Sequence, residues 1–287
     1  MTMKTKILHK ILLVGLTIIF GNQLIAQTTF KPVNLGSSIN TEYAEINPVI
    51  STDGKTLYFS RVNHPENTYG RINTQDVWYS TLNDDGTWSE AKHLPRSVNI
   101  GRYNAILSAM SDGKTFLING VYNRRGTLWL ERGFSLIERT DNETWSKPKA
   151  IDVAGYSRKN KGKFVTAYMT PDEEYLFLAY TTKPNGTKLS IYMSKRRGEL
   201  KYSKPKELKG GINKGKSSEA PFLSGDKNAL YFSGNFGDGR DNYDIYMSNR
   251  TDDKFIKWSK PVKISDTINT PNWDSYYKLN SKGSWAY

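Results

Sequence analysis

The sequence predicts an all-β fold: a five-bladed β-propeller of four-stranded antiparallel blades, the last incomplete and shared with an N-terminal strand. Three observations predict it. First, Asn47-Pro-Val-Ile-Ser-Thr-Asp-Gly-Lys-Thr-Leu-Tyr-Phe-Ser60 recurs as Ala220-Pro-Phe-Leu-Ser-Gly-Asp-Lys-Asn-Ala-Leu-Tyr-Phe-Ser233. Weaker copies start at Ile106 and Tyr168, so the turn aspartates Asp53, Asp112, Asp172 and Asp226 stand 59, 60 and 54 residues apart. Second, the copies share later landmarks: Asp76-Val-Trp-Tyr-Ser80, Ser190-Ile-Tyr-Met-Ser194 and Asp244-Ile-Tyr-Met-Ser248, then Trp88, Trp145, Tyr202 and Trp258, each followed by Ser. Third, Lys31-Pro-Val-Asn-Leu-Gly-Ser-Ser-Ile-Asn-Thr41 parallels Lys260-Pro-Val-Lys-Ile-Ser-Asp-Thr-Ile-Asn-Thr270. A fixed period of this length marks a repeat architecture.

The chain opens with a basic stretch carrying Lys4, Lys6 and Lys10, then an apolar run from Ile11 to Phe20, then Gly21 to Ala26. That layout predicts a secretory signal peptide over residues 1–26, cleaved after Ala26. A membrane anchor would need about 20 apolar residues, and Gly21, Asn22 and Gln23 interrupt this run. The 261 residues that remain (27–287) are expected to form one soluble domain with a sizeable core and no transmembrane segment.

Within each repeat, short runs rich in Val, Ile, Tyr, Phe and Trp alternate with turn formers such as Asn83-Asp-Asp-Gly86 and Lys183-Pro-Asn-Gly186. Such runs read as strands, and four per repeat make a blade. In the first blade the strands are expected near 46–51, 56–61, 77–82 and 88–94, with Asp53-Gly54 making the tight hairpin between the first two. The blades fall at about 45–98, 104–153, 164–210 and 218–264, with 275–287 plus 30–35 sharing the fifth. No sustained 3.6-residue apolar period predicts a helix after the leader. The fifth blade rests on the alignment of Lys282-Gly-Ser-Trp-Ala-Tyr287 with Asp53-Gly-Lys-Thr-Leu-Tyr58.

The Pro48–Ser60 and Pro221–Ser233 segments, followed by Asp76-Val-Trp and Asp244-Ile-Tyr, resemble the WD40-like β-propeller repeats of the TolB type. The resemblance covers nearly all of residues 30–287. It departs in the second and third repeats, which lack the counterpart of Asp244, and in the third, where Glu173 replaces the glycine of the turn. It implies an exported envelope module, periplasmic or outer-membrane associated, of a kind often found ahead of an OmpA-like domain. Nothing in this chain shows such a domain.

Composition bounds the function. The chain has no cysteine, so no disulfide and no lipid on an N-terminal cysteine. Its charge is +13, or +10 without the three leader lysines. Export and the lack of a nucleic-acid motif turn that balance away from nucleic acid and towards an envelope protein or an anionic envelope polymer. No cofactor or metal site is expected: beyond the leader only His64 and His93 occur, and the acidic stretch Asp238-Gly-Arg-Asp241-Asn-Tyr-Asp244 lacks EF-hand spacing.

Two sets of candidate site residues follow. The basic set is Arg158, Lys159, Lys161, Lys163, Lys214 and Lys216, in linkers that a propeller places on one face. The second is the carboxylate set Glu45, Glu219 and Asp274, each just before an innermost strand, where five-bladed glycosidases place channel carboxylates. Asn104 and Phe164 at the matching places of the other repeats argue for a structural role instead. No Gly-x-Ser-x-Gly elbow is present. The chain is therefore expected to be a non-enzymatic scaffold binding a protein or envelope polymer, the alternative being a glycan-active or glycan-binding propeller that uses the channel mouth. The repeat-equivalent Trp88, Trp145, Tyr202 and Trp258 read as packing residues, whereas Tyr69, Trp129 and Phe236 lie outside the repeat register in expected loops between second and third strands.

Overall fold

The computed structural model describes residues 32–140, 144–237 and 242–287. The leader, its cleavage site and Lys31 therefore lie outside the described residues, as does most of the 238–244 acidic stretch. Among the described residues no helix is long and apolar enough to cross a membrane.

Four antiparallel meanders follow one another. The first sheet holds β1 (Ala44–Ile50), β2 (Thr56–Val62), β3 (Gln75–Thr81) and β4 (Lys92–His93). The second holds β5 (Ile106–Ala109), β6 (Thr115–Tyr122), β7 (Trp129–Glu138) and β8 (Lys149–Ala150). After β9 (Asp152–Val153) comes the single-turn α1 (Tyr156–Lys159), a helix that the apolar pattern does not announce. The third sheet holds β10 (Thr166–Met169), β11 (Tyr175–Tyr180), β12 (Ser190–Gly198), β13 (Lys201–Tyr202) and β14 (Lys206–Glu207), with β9 lying parallel to β13. The fourth is β15 (Ser217–Leu223), β16 (Ala229–Asn235), β17 (Asp244–Asn249) and β18 (Val262–Lys263).

The protein is thus a four-bladed propeller, and the expectation of five blades is wrong. Residues 275–287 form only one short hairpin, through Lys278 N–H to Tyr287 O (3.1 Å), Tyr287 N–H to Lys278 O (2.9 Å) and Asn280 N–H to Trp285 O (2.9 Å). Residues 32–35 form no strand. They lead into a turn that reaches the first sheet through Ala91 N–H to Ser38 O (3.1 Å). Sequence similarity matched the turn at Lys282-Gly283, but a blade needs four laddered strands, and among the described residues no third strand pairs with the hairpin. The hairpin instead wedges between the fourth and first sheets. Tyr277 packs on Tyr231 (5.1 Å), Ser275 meets Ser233 (3.1 Å), and Tyr287 joins the Leu57, Phe59 and Trp78 cluster.

Between neighbouring sheets the core is apolar and aromatic, as burial of both sheet faces requires. Tyr58, Phe116 and Trp145 join the first and second sheets, Leu117, Leu176 and Tyr180 the second and third, and Phe177, Phe232 and Trp258 the third and fourth. The repeat-equivalent tryptophans are packing residues here: Trp145 lies 5.5 Å from Phe116 and Trp258 6.4 Å from Phe177.

Three of the four aspartate turns share one chemistry, and in the fourth Asp112 accepts the Thr115 hydroxyl (2.6 Å) instead. Asp53 accepts Ser51 Oγ–H (2.5 Å) and Lys55 N–H (3.0 Å), and Asp172 and Asp226 repeat the pattern with Thr170 and Ser224. Hydrogen bonds hold the Asp53 and Asp226 carboxyls below their usual range. The turn needs a left-handed residue after the aspartate, supplied by Gly54 (φ 75°) and Gly113 (φ 70°). In the third blade Glu173 takes that conformation itself (φ 58°), a strain that a β-carbon makes costly. Glu173→Gly is therefore expected to raise stability by up to about 1 kcal/mol despite loss of the exposed Arg196 pair, read by thermal melting. A lowered melting temperature would refute the strain argument.

Candidate functional site

In each antiparallel meander the innermost strand starts, the second ends and the fourth ends on the same face. Four connectors on that face, 94–105, 154–165, 181–189 and 208–216, contain eleven Lys and Arg residues and no acid, while 123–128 adds Arg124 and Arg125 on an arm whose Gly126 meets Lys147 and Pro148 ahead of β8. The inner hairpins of the opposite face carry Asp53, Asp112, Asp172, Glu173, Glu174 and Asp226 against only Lys55, Lys114 and Lys227. These connectors are therefore of one sign, although 63–74 and 264–274 on the same face add Glu66, Asp266 and Asp274.

The basic set falls on this face. Arg158 and Lys159 occupy the last turn of α1, while Lys161 and Lys163 follow before β10; Lys214 and Lys216 precede β15. Of these, Lys159 is half-buried and the other five are exposed. Arg158, Lys159, Lys161, Lys163 and Lys214 make no ion pair among the described residues. The backbone holds the connectors in place: Lys161 N–H donates to Thr181 O (2.9 Å), Lys216 N–H to Asn235 O (2.6 Å), and the Arg132 guanidinium to Gly162 O.

The carboxylate set does not form a shared centre. Glu45 accepts Thr41 Oγ–H (2.6 Å) and pairs with Arg61 (3.2 Å), while Asp274 accepts Thr270 N–H (2.7 Å) and Thr270 Oγ–H (3.0 Å). The same four-residue spacing recurs in both, so each carboxylate caps the turn that feeds its strand. At that spacing Glu219 has Gly215 and no cap. Burial instead pushes its carboxyl up to about 7, opposed by the Ser275 hydroxyl. At the matching places, Asn104 holds the buried Asp76 (2.7 Å), and Phe164 is two-thirds exposed.

Sequence reasoning missed Lys278. The hairpin carries its amine into the interior, where it donates to Asn47 Oδ1 (3.1 Å) and Leu107 O (3.0 Å) on the inner strands of the first and second sheets. Burial pushes the amine down to about 7. Tyr276 beside it and Ala220 and Asn47 on the inner strands share positive φ (64°, 47° and 55°). At Asn47 and Ala220 this marks a bulge in the ladder, between Ile46 and Val49 and between Glu219 and Phe222. Only the bulge turns the Asn47 amide towards Ile106 O (2.5 Å) and Lys278, so single-sequence patterning carries no sign of it.

His93 hydrogen-bonds Asp76 (2.8 Å), and Lys263 pairs with the equivalent Asp244 (2.9 Å), so these acids tie third to fourth strands. Tyr69 lies in the loop between second and third strands and holds Arg96 over its ring (4.8 Å); Trp129 begins β7 rather than lying in a loop, and its indole is half-exposed.

No protein-family model and no curated protein matches the chain. Among solved structures, a thermostable family-43 glycoside hydrolase is similar at 14% identity and TM-score 0.50, over 86% of this chain and 83% of that one. TolB from Acinetobacter baumannii is 14% identical at TM-score 0.41, over 75% of this chain and 45% of that one. The periplasmic gluconolactonase PpgL of Pseudomonas aeruginosa is 10% identical at TM-score 0.45, over 83% and 63%. The chain spans less than two thirds of the length of either of the latter two. At such identities the likeness to the glycoside hydrolase is one of fold, the β-propeller.

Proposed function

We propose that the protein is a non-enzymatic exported binding propeller whose basic connector face receives an anionic envelope partner, an acidic protein or an anionic polymer. The observation that carries this reading is the set of four connectors on one face with eleven basic residues and no acid. One exposed charge contributes little in water, but several of one sign within a Debye length of about 8 Å add to a steering field. The glycan-cleaving alternative draws support only from Glu219. It requires two cooperating carboxyls about 5 to 10 Å apart, and Glu45 and Asp274 are each engaged as local caps.

Replacing Arg158, Lys159, Lys161, Lys163, Lys214 and Lys216 together with serine is expected to weaken binding to isolated cell-envelope material about tenfold or more at low salt, with the circular dichroism unchanged. The difference should shrink as salt rises. Equal binding by the folded variant at low salt would leave these residues as solubilising loops.

A further inference from the structure

We infer that the distal half of β7 is a docking edge for an extended acidic polypeptide strand carrying apolar side chains. This rests on the binding reading above and names the chemistry of the partner. β7 pairs with β6 along most of its length, from Tyr122 opposite Trp129 to Thr115 opposite Glu138, but with β8 only at Ser135 and Leu136. On the outer side of residues 129–132 no strand follows among the described residues. An open edge of this kind is a template for pairing with another chain.

The side chains beside that edge are apolar and exposed: Leu128 (58%), Trp129 (44%) and Leu130 (55%). Hydrogen bonds tie this arm and its neighbours to connectors that bear further exposed apolar residues. Tyr103, 55% exposed, receives Asn119 of β6 on its carbonyl (2.9 Å), and Ile72, 75% exposed, receives Arg102 (3.0 Å). Phe164, 67% exposed, lies two residues from the Gly162 carbonyl that Arg132 of β7 grips. Exposed apolar side chains gathered beside an open edge mark an interaction site.

The arm is built to hold its tryptophan out. β6 bulges between Asn119 and Val121, where Gly120 adopts φ 98°. A β-carbon at Gly120 would come 2.6 Å from the Trp129 indole, so the ring rests on the bare backbone of its neighbour strand. Bulges re-aim side chains in this way, and here the result is a seated ring with one face in solvent.

Charge then selects the occupant. Arg124 and Arg125 are exposed at the tip, and Arg102, Arg132, Lys161 and Lys163 border the band, against Glu131 as the one acid of the arm. A second copy would bring the same arginines together. A lipid surface would meet an arm whose tip is seated against Lys147 and Pro148 rather than a projecting apolar end, and would leave the open backbone edge unpaired. A glycan finds a stacking plane at Trp129 but leaves the aliphatic Leu128, Leu130 and Ile72 and the open backbone edge unmatched. An acidic strand laid along the edge satisfies the backbone, the apolar side chains and the arginines together.

The probe is a synthetic peptide of about ten residues alternating Glu with Val, Tyr and Phe, with a Lys-for-Glu control. Fluorescence anisotropy at low salt reads affinity, and hydrogen exchange reads the amides of residues 128–132. The acidic peptide should bind and protect those amides, and the lysine control should not. Leu130→Asp and Trp129→Ala, both at exposed positions, should each weaken binding about tenfold or more with circular dichroism unchanged. No binding, protection elsewhere, or full affinity in both variants would overturn the inference. Trp129-dependent capture of phosphatidylglycerol vesicles or polygalacturonate, without peptide binding, would overturn it by reassigning the surface to lipid or glycan. Failure of the two readings is distinguishable. If the six-residue connector variant loses envelope binding while Leu130→Asp retains it, the basic-face reading stands and the docking edge falls. Peptide binding at β7 with an unimpaired connector variant gives the reverse.

Discussion

Asn99→Ala is expected to lower stability by about 2 kcal/mol or more, the largest effect of any single substitution considered. Asn99 is fully buried, and its amide clamps the third strand of the first sheet from outside the ladder. Its Oδ1 accepts Val77 N–H (2.8 Å), while its Nδ2 donates to Val77 O (3.1 Å) and Leu94 O (2.8 Å). Truncation leaves the Val77 N–H and Leu94 O without partners in a dry site, while Val77 O keeps the Leu94 N–H (3.0 Å), and each orphaned group costs about 1 kcal/mol or more. The device repeats: Asn213 clamps Ile191 and Leu208, and Asn269 clamps Ile245 and Ile264. Asn269 is 6% exposed and Asn213 only half-buried, so the cost should fall from Asn99 through Asn269 to Asn213 as water replaces the lost partners. Urea denaturation of the three alanine variants measures the order. Three losses all under about 1 kcal/mol would show that the clamps merely accompany the fold.

The second large effect is a dip in stability near pH 7. Glu219 rises from 4.5 to about 7 on folding, so between those values the folded chain keeps a proton that the unfolded chain releases. Its contribution is complete below about 4.5 and is lost as pH climbs to 7. Lys278 falls from 10.5 to about 7, so in that window the unfolded chain holds the proton that the folded chain has released. Its contribution is complete above 10.5 and is lost as pH descends to 7. Each arm is on the order of a few kcal/mol. The turn aspartates Asp53, Asp112, Asp172 and Asp226, all held low, lose their contribution only in more acid solution. His64, lowered by burial between Tyr43 and Trp78, slopes opposite to Glu219, so variants are needed to separate them. Denaturant midpoints from pH 4.5 to 10.5 should show Glu219→Gln flattening only the acid arm and Lys278→Met only the alkaline arm. Unchanged profiles in both variants would mean that neither group is buried with its charge unmet.

The repeat itself determined much. The spacing of Asp53, Asp112, Asp172 and Asp226 and the recurring strand landmarks were enough for an all-β propeller of four-stranded blades, because periodicity is carried by residues whose role is local: a turn aspartate, an alternating strand, a packing tryptophan. Connectivity also put the basic linkers on one face, since a meander leaves its connectors no other end. Blade number was decided elsewhere. The hairpin at residues 278–287 copies the turn of a blade, but a ladder exists only where a partner strand lies alongside, and local similarity cannot supply one. The roles of the carboxylates were likewise set by three-dimensional neighbours: Thr41 and Thr270 occupy two of them, and burial alone distinguishes Glu219. Lys278 was one lysine among many in the sequence, and Trp129 read as part of a loop between second and third strands rather than the start of one. Which lysine is buried and which strand edge is left open depend on contacts between segments far apart in the chain, and a residue pattern specifies those only through the folded structure.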